Sequence, residues 1–151
     1  MKAMTCGFIL WLSLLSNMAM AEERGTPAEA VALVQKVAAY MKENGPEKAI
    51  AEVNNIHGMF RDRDLYVTIN DLHAKTLAHG ANPKMQGKDL IDLKDPDGKY
   101  FMRERLELAS KNNKGWQEYK FVNPETGKIE LKSMYFERHG DLIINCGVYK
   151  Q

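Results

Sequence analysis

The chain is poor in cysteine, in net charge and in long apolar runs. Only two cysteines, Cys6 and Cys146, occur in 151 residues. Cys6 precedes the core of an apolar leader, where a lipid-anchor cysteine would follow it, and it is expected to leave with the leader. Cys146 is then single, which excludes an internal disulfide and a thiolate metal cluster. It reads as a small apolar strand residue. The 21 basic and 20 acidic residues nearly cancel. A nucleic-acid footprint needs a clustered excess of Lys and Arg, so nucleic acid is excluded as a partner. No basic amphipathic helix marks a membrane-surface binder. After the leader, no apolar run approaches the roughly 20 residues of a spanning helix. Catalytic signatures are missing too. His57, His73, His79 and His139 form no metal-spaced pair, and there is neither a G-x-S-x-G turn nor a phosphate-binding glycine loop. No metal or other cofactor is expected.

What is present starts with that leader. Lys2 gives a positive start, residues 8–15 an apolar core, and Ala19 and Ala21 the small residues that precede a cut. The expected organisation is a cleaved signal peptide over 1–21 and one exported domain over 22–151. That length buries a core without staples.

Thr26-Pro27-Ala28-Glu29 is a capping box with proline at the first helical position. Val31, Val34, Ala38 and Met41 follow at helical spacing, and Asn44-Gly45 before Pro46 ends the helix. A shorter helix restarts at Pro46. Residues 65–69 alternate and read as a strand, with a short return strand over 75–79. A polar loop leads to a helix over 99–112, which Gly115 is expected to end. Strands follow over 116–122, 128–139 and 142–149, with Gly140-Asp141 as a hairpin turn. The order α-α-β-β-α-β-β-β gives an α+β fold. Its antiparallel sheet has five strands, with the long N-terminal helix on one face.

The ordered set Asp64-Leu65-Tyr66-Val67, Asn70-Asp71, Leu77-Ala78-His79-Gly80-Ala81-Asn82-Pro83, Gly87-Lys88-Asp89 and Asp97-Gly98-Lys99 carries a resemblance. Gly115-Trp116-Gln117-Glu118-Tyr119, 123–128, Lys132-Ser133-Met134-Tyr135 and Gly147-Val148-Tyr149 continue it. Spanning about 56–149, this set resembles the single Cache domain, a PAS-like extracytoplasmic sensor module of chemoreceptors and sensor kinases. The resemblance implies a periplasmic pocket for a small organic acid, often a short carboxylate. A receptor would continue into a membrane helix and a signalling domain, whereas this chain ends at Gln151. The expectation is therefore a free-standing form that signals to a separate membrane sensor kinase or chemoreceptor.

Lys132 shares strand parity with Glu130, Met134 and Phe136. On a semi-buried face its charge needs an anion. On a solvated face it would pair with Glu130. The resemblance favours the first placement. His79 ends a strand beside Gly80, and either donates to an anion and titrates near neutral pH or merely caps a loop. Tyr66, Tyr119 and Tyr149 each offer an apolar ring and one hydroxyl to a small pocket. Trp116 either walls that pocket or fills the core. Arg103 has the fork for a carboxylate, but it lies in a charged run that reads as a solvated helix face. Residues 93–104 partly match a calcium loop. Leu93 at the first ligand position has no oxygen to give, so the segment reads as a turn and helix start.

Two other readings stand beside the sensor. One is a ligand-free interaction module docking on a membrane kinase or chemoreceptor, which a filled core would favour. The other is an enzyme with His79 as general base, which needs a carboxylate or water within reach of the imidazole.

Overall fold

The computed structural model describes residues 23–150. The leader over 1–21, its cut after Ala21 and Cys6 lie outside the described residues.

Helix α1, Pro27–Asn44, starts where the capping box places it. Thr26 Oγ1 accepts from the Glu29 amide at 3.3 Å, and Glu29 Oε2 accepts from the Thr26 amide at 2.7 Å. It ends at Gly45, whose φ of 88° is a conformation L side chains avoid. Ala30, Val34 and Val37 are its buried stripe. Helix α2, Pro46–Val53, buries Ala49 and Val53.

The strands are β1 Arg61–Asp62, β2 Leu65–Asp71, β3 Thr76–His79, β4 Lys114–Val122, β5 Ile129–His139 and β6 Leu142–Tyr149. They form one antiparallel sheet ordered β1-β2-β6-β5-β4, with β3 sharing the outer edge of β2. This is the expected sheet plus β1, a two-residue strand pairing Arg61 with Tyr66 and Asp62 with Leu65. Helix α3 is Phe101–Lys111.

Two boundaries differ from expectation. Helix α3 starts at Phe101 because Asp95 Oδ1 accepts the Asp97 and Lys99 amides, holding 95–99 in a turn. Strand β4 starts at Lys114, and Gly115 lies inside it rather than ending the helix. A Cβ on Gly115 would meet the Phe136 ring at 3.1 Å, so this glycine admits a close approach.

Each face of the sheet has its own cover. Leu65, Val67, Ile69, Tyr135, Ile144, Cys146 and Val148 pack under α1 and α2. Period-two alternation turns Tyr66, Thr68, Asn70, Tyr119, Lys132, Met134, Asn145 and Tyr149 to the other face. Helix α3 and the long 80–100 connection cover that face. Central strands β2 and β6 are therefore buried on both sides, and much of the second face is polar.

Candidate ligand-binding site

Lys132 is the most unusual residue on that face, because its side chain has no exposed surface. It leaves β5 opposite Tyr149 and crosses β6 at Gly147. A Cβ on Gly147 would stand 2.4 Å from Lys132 Cε. The bare glycine lets the lysine stem lie flat on the sheet and reach β2. There Nζ donates to Tyr66 Oη at 2.8 Å and to Tyr149 Oη at 3.1 Å. It also lies 3.9 Å and 4.5 Å from the centroids of those two rings. Tyr66 and Tyr149 hydroxyls are 3.0 Å apart, and Tyr149 donates to the Val122 carbonyl at 2.7 Å.

The second cation is Arg105, 2% exposed. It lies one turn beyond Phe101 and Met102 and one before Ala109, on the buried stripe of α3. Nε donates to Gln117 Oε1 at 3.1 Å, and Gln117 Nε2 in turn holds the Phe101 carbonyl at 2.7 Å. Nη2 is buried without a partner among the described residues. The guanidinium lies 5.3 Å from the Tyr119 ring. Among the described residues, neither Lys132 nor Arg105 forms an ion pair.

Arg105, Tyr66, Tyr119, His79, Thr68 and Met134 line an inner cavity of about 20 Å³, room for about one water molecule. Tyr66, His79, Met85 and Phe121 separate it from an outer cavity of about 400 Å³, whose rim includes Asn82 and Pro124. Lys132 lies one hydroxyl behind the inner wall, which Tyr66 forms.

His79 stacks on Tyr66 with ring centroids 5.0 Å apart. Its Nδ1 accepts from the Asn82 amide at 3.0 Å, which places the hydrogen of the neutral ring on Nε2. Burial, and then the Lys132 charge, hold its pKa down at about 4. Of the two readings of its sequence position, His79 takes the loop-capping one through Nδ1 and is a neutral donor at Nε2 rather than a group titrating near neutral pH. Burial also lowers Lys132 to about 7, with Arg105 opposing its charge. Tyr66, Tyr119 and Tyr149 are pushed up by burial and stay protonated.

Of the residues singled out in the sequence, Tyr66, His79, Tyr119, Lys132 and Tyr149 come together here. Trp116 does not. It is 40% exposed on the opposite face, its ring 5.1 Å from Tyr135. Arg103 pairs with Asp92 and donates to the Ile91 carbonyl on the surface. The residue not singled out is Arg105, two positions on in the same charged run. Its four-residue spacing from Phe101 and from Ala109 is the signal that places it inside.

The depressed lysine makes a stability prediction for the ligand-free protein. Between its folded value near 7 and the ordinary 10.5, the unfolded chain binds a proton that the folded one lacks, so stability rises with pH. Above about pH 9 the opposite shifts of Cys146 and the buried tyrosines take stability away. From pH 7 to 9 the gain is about 2 kcal/mol, or roughly 5–10 °C in melting temperature. Thermal unfolding followed by circular dichroism checks this, and a flat or falling profile over that window contradicts it.

The single Cache domain 2 family matches residues 11–151. Methyl-accepting chemotaxis protein McpP of Pseudomonas putida is 36% identical over 90 residues, 58% of this chain and 16% of that receptor. The chain therefore spans a small part of this curated relative's length. Three solved structures share the fold. One is a Cache chemosensory domain described for its carboxylic acid recognition, with TM-score 0.71, 23% identity and coverage of 82% of this chain and 92% of that one. Another is a methyl-accepting chemotaxis protein from Vibrio parahaemolyticus, with TM-score 0.68, 23% identity and coverage of 81% and 86%. The third, a periplasmic sensor domain of a chemotaxis protein, has TM-score 0.63, 21% identity and coverage of 82% and 90%. With its fold, its buried polar face and this match over most of its length, the chain belongs to the single Cache domain 2 family.

Proposed function

We propose that this chain is a periplasmic sensing module for a short-chain carboxylic acid and signals to a separate membrane chemoreceptor or sensor kinase. The observation that carries the reading is a buried guanidinium, Arg105, beside the buried amine of Lys132 on one face of the sheet, neither in an ion pair among the described residues. Unpaired buried charges are costly, and a bound anion removes that cost. Arg105 would hold the carboxylate through its free Nη2, with His79 Nε2 as a further donor and the Tyr66 ring walling the site in front of Lys132 and Tyr149. The inner cavity holds about one water as it stands, so a short acid would seat there only with the shared wall of Tyr66, His79, Met85 and Phe121 opening toward the outer cavity, its route in. The leader over 1–21 is removed after Ala21, and 22–151 form the sensing domain. Its role is recognition rather than catalysis. No carboxylate among the described residues accepts from His79, and backbone amides occupy its Nδ1. The general-base reading needs the opposite.

A ligand that binds only the folded state raises stability by about 2.7 kcal/mol at a hundredfold excess over Kd. Acetate, propionate, lactate and pyruvate at millimolar concentration are the panel, read by thermal shift. At least one should raise the melting temperature by roughly 5–10 °C. No shift with any of them, in protein that also releases no organic acid on denaturation, sinks the reading.

A docking role has its own supporting observation. Trp116, Val122, Ile129 and Leu131 are exposed on the part of the β4–β5 face that the helices leave uncovered. An acid-insensitive protein that still binds a membrane receptor would favour that reading.

A further inference from the structure

We propose that the site takes up its carboxylate together with a proton, which settles on the Lys132 amine. This deepens the carboxylate reading above and rests on it. The first support is a count of hydrogens. The Tyr149 hydroxyl has one, and gives it to the Val122 carbonyl at 2.7 Å. It can then only accept from Tyr66 and from Lys132. Tyr66 gives its single hydrogen to Tyr149 and accepts from Lys132. Every direction in the network is therefore fixed, and Lys132 faces two acceptors. A neutral amine has two N–H groups and matches them. An ammonium has three, and the third finds no acceptor among the described residues.

The second support is the charge around it. Tyr66 faces Lys132 from β2, Tyr119 from β4, Tyr149 from β6, His79 from β3 and Arg105 from α3, while Cys146 lies across the sheet on the other face. The tyrosines, the thiol and the imidazole are neutral at working pH, the thiol being pushed up to about 12 by burial. Arg105 is a permanent cation and opposes a second one. Asp64, just before β2, attracts the charge without overcoming burial; its Oδ1 accepts from the Gly25 amide at 2.7 Å and its Oδ2 is buried without a partner among the described residues. With the cavity empty, burial and Arg105 favour the neutral amine over the two unpaired cations. An anion beside Arg105 reverses that balance and draws a proton onto Lys132.

The reaction is carboxylate plus proton plus neutral site, giving ammonium and carboxylate in one enclosure. Nothing else is consumed. Above about pH 7 occupancy then follows the product of carboxylate and proton concentrations, which is proportional to the undissociated acid. In that range the module reads the neutral, membrane-permeant form of the acid rather than its total concentration.

Two measurements on the purified chain test this. Calorimetric titration of propionate at pH 8, in phosphate and in Tris, reads proton uptake from the difference in heat. About 0.9 proton per propionate is expected, with affinity about tenfold weaker than at pH 6. NMR titration of the lysine Cε signals without ligand should show one lysine titrating near pH 7. Propionate binding with buffer-independent heat at pH 8 overturns the proton uptake and leaves the carboxylate reading standing. A full set of lysines titrating near their ordinary range does the same. If no acid in the panel binds at either pH, the carboxylate reading falls and the proton uptake falls with it.

Discussion

Replacing Arg105 with methionine is expected to stabilise the ligand-free protein and to remove its response to carboxylates. The two effects have one origin. Arg105 is buried with Nη2 unpartnered and without an ion pair among the described residues, so folding gives up its hydration for neutral hydrogen bonds to Gln117 and Tyr119 and the distant pull of Glu104. Methionine fills similar space on the same helix stripe, beside Phe101, Met102 and Tyr119, without that charge. Exchanges of buried ionic groups for apolar ones are often stabilising by 1–4 kcal/mol. Here Gln117 Oε1 loses its donor, which offsets part of the gain, so about 1 kcal/mol is expected, or roughly 3–5 °C. Binding moves the other way. Removing one partner of a buried, hydrogen-bonded charge pair costs about 2–5 kcal/mol, a loss of roughly 30-fold or more in affinity. Melting curves of Arg105→Met with and without propionate read both effects. A variant that melts lower and still responds would place Arg105 in the scaffold.

Gly147→Ala is expected to be the most damaging single-methyl change in the site. Its Cβ would lie 2.4 Å from Lys132 Cε and 3.1 Å from the Ser133 carbonyl oxygen. A long side chain usually swings clear of such a clash. This one is enclosed along its whole length, with its amine fixed between two hydroxyls. Overpacking of this kind costs about 1–3 kcal/mol, and moving the amine also dismantles the tyrosine network. The double variant Gly147→Ala with Lys132→Ala removes the obstructing stem. It should be more stable than the sum of the single changes predicts, by about 1 kcal/mol or more. Additive losses in urea unfolding would show that the strand backbone, not the lysine, needs the glycine.

Legibility in the sequence followed locality. The Thr26 capping box and Gly45 fix the ends of α1 through contacts three and four residues apart, so both could be read directly. The hairpins around 123–127 and 140–141 are local in the same way. Strand β1 could not be read, because two residues become a strand only by pairing with Leu65 and Tyr66. The parity of Glu130, Lys132, Met134 and Phe136 grouped them on one face. Which face that was depended on β6 lying alongside with a glycine at position 147, a non-local fact. The placements of Trp116 and Arg105 were both latent in the sequence. Residues 116 and 119 are three apart in a strand, so period two puts Trp116 and Tyr119 on opposite faces. Four-residue spacing in α3 likewise turns Arg105 inward while Arg103 faces solvent.

The sheet order has a consequence for how the chain is made. Strand β6 comes last in the sequence yet lies between β2 and β5. Val67 pairs with Cys146, so the central ladder joins positions 79 residues apart. Folding cannot proceed from the N-terminus onward, because an incomplete chain has a gap where its middle strand belongs. Assembly must wait for the final residues and must close a long loop, which slows it. A nascent chain without β6 thus lacks the strand that joins the β1-β2-β3 part of the sheet to the β4-β5 hairpin.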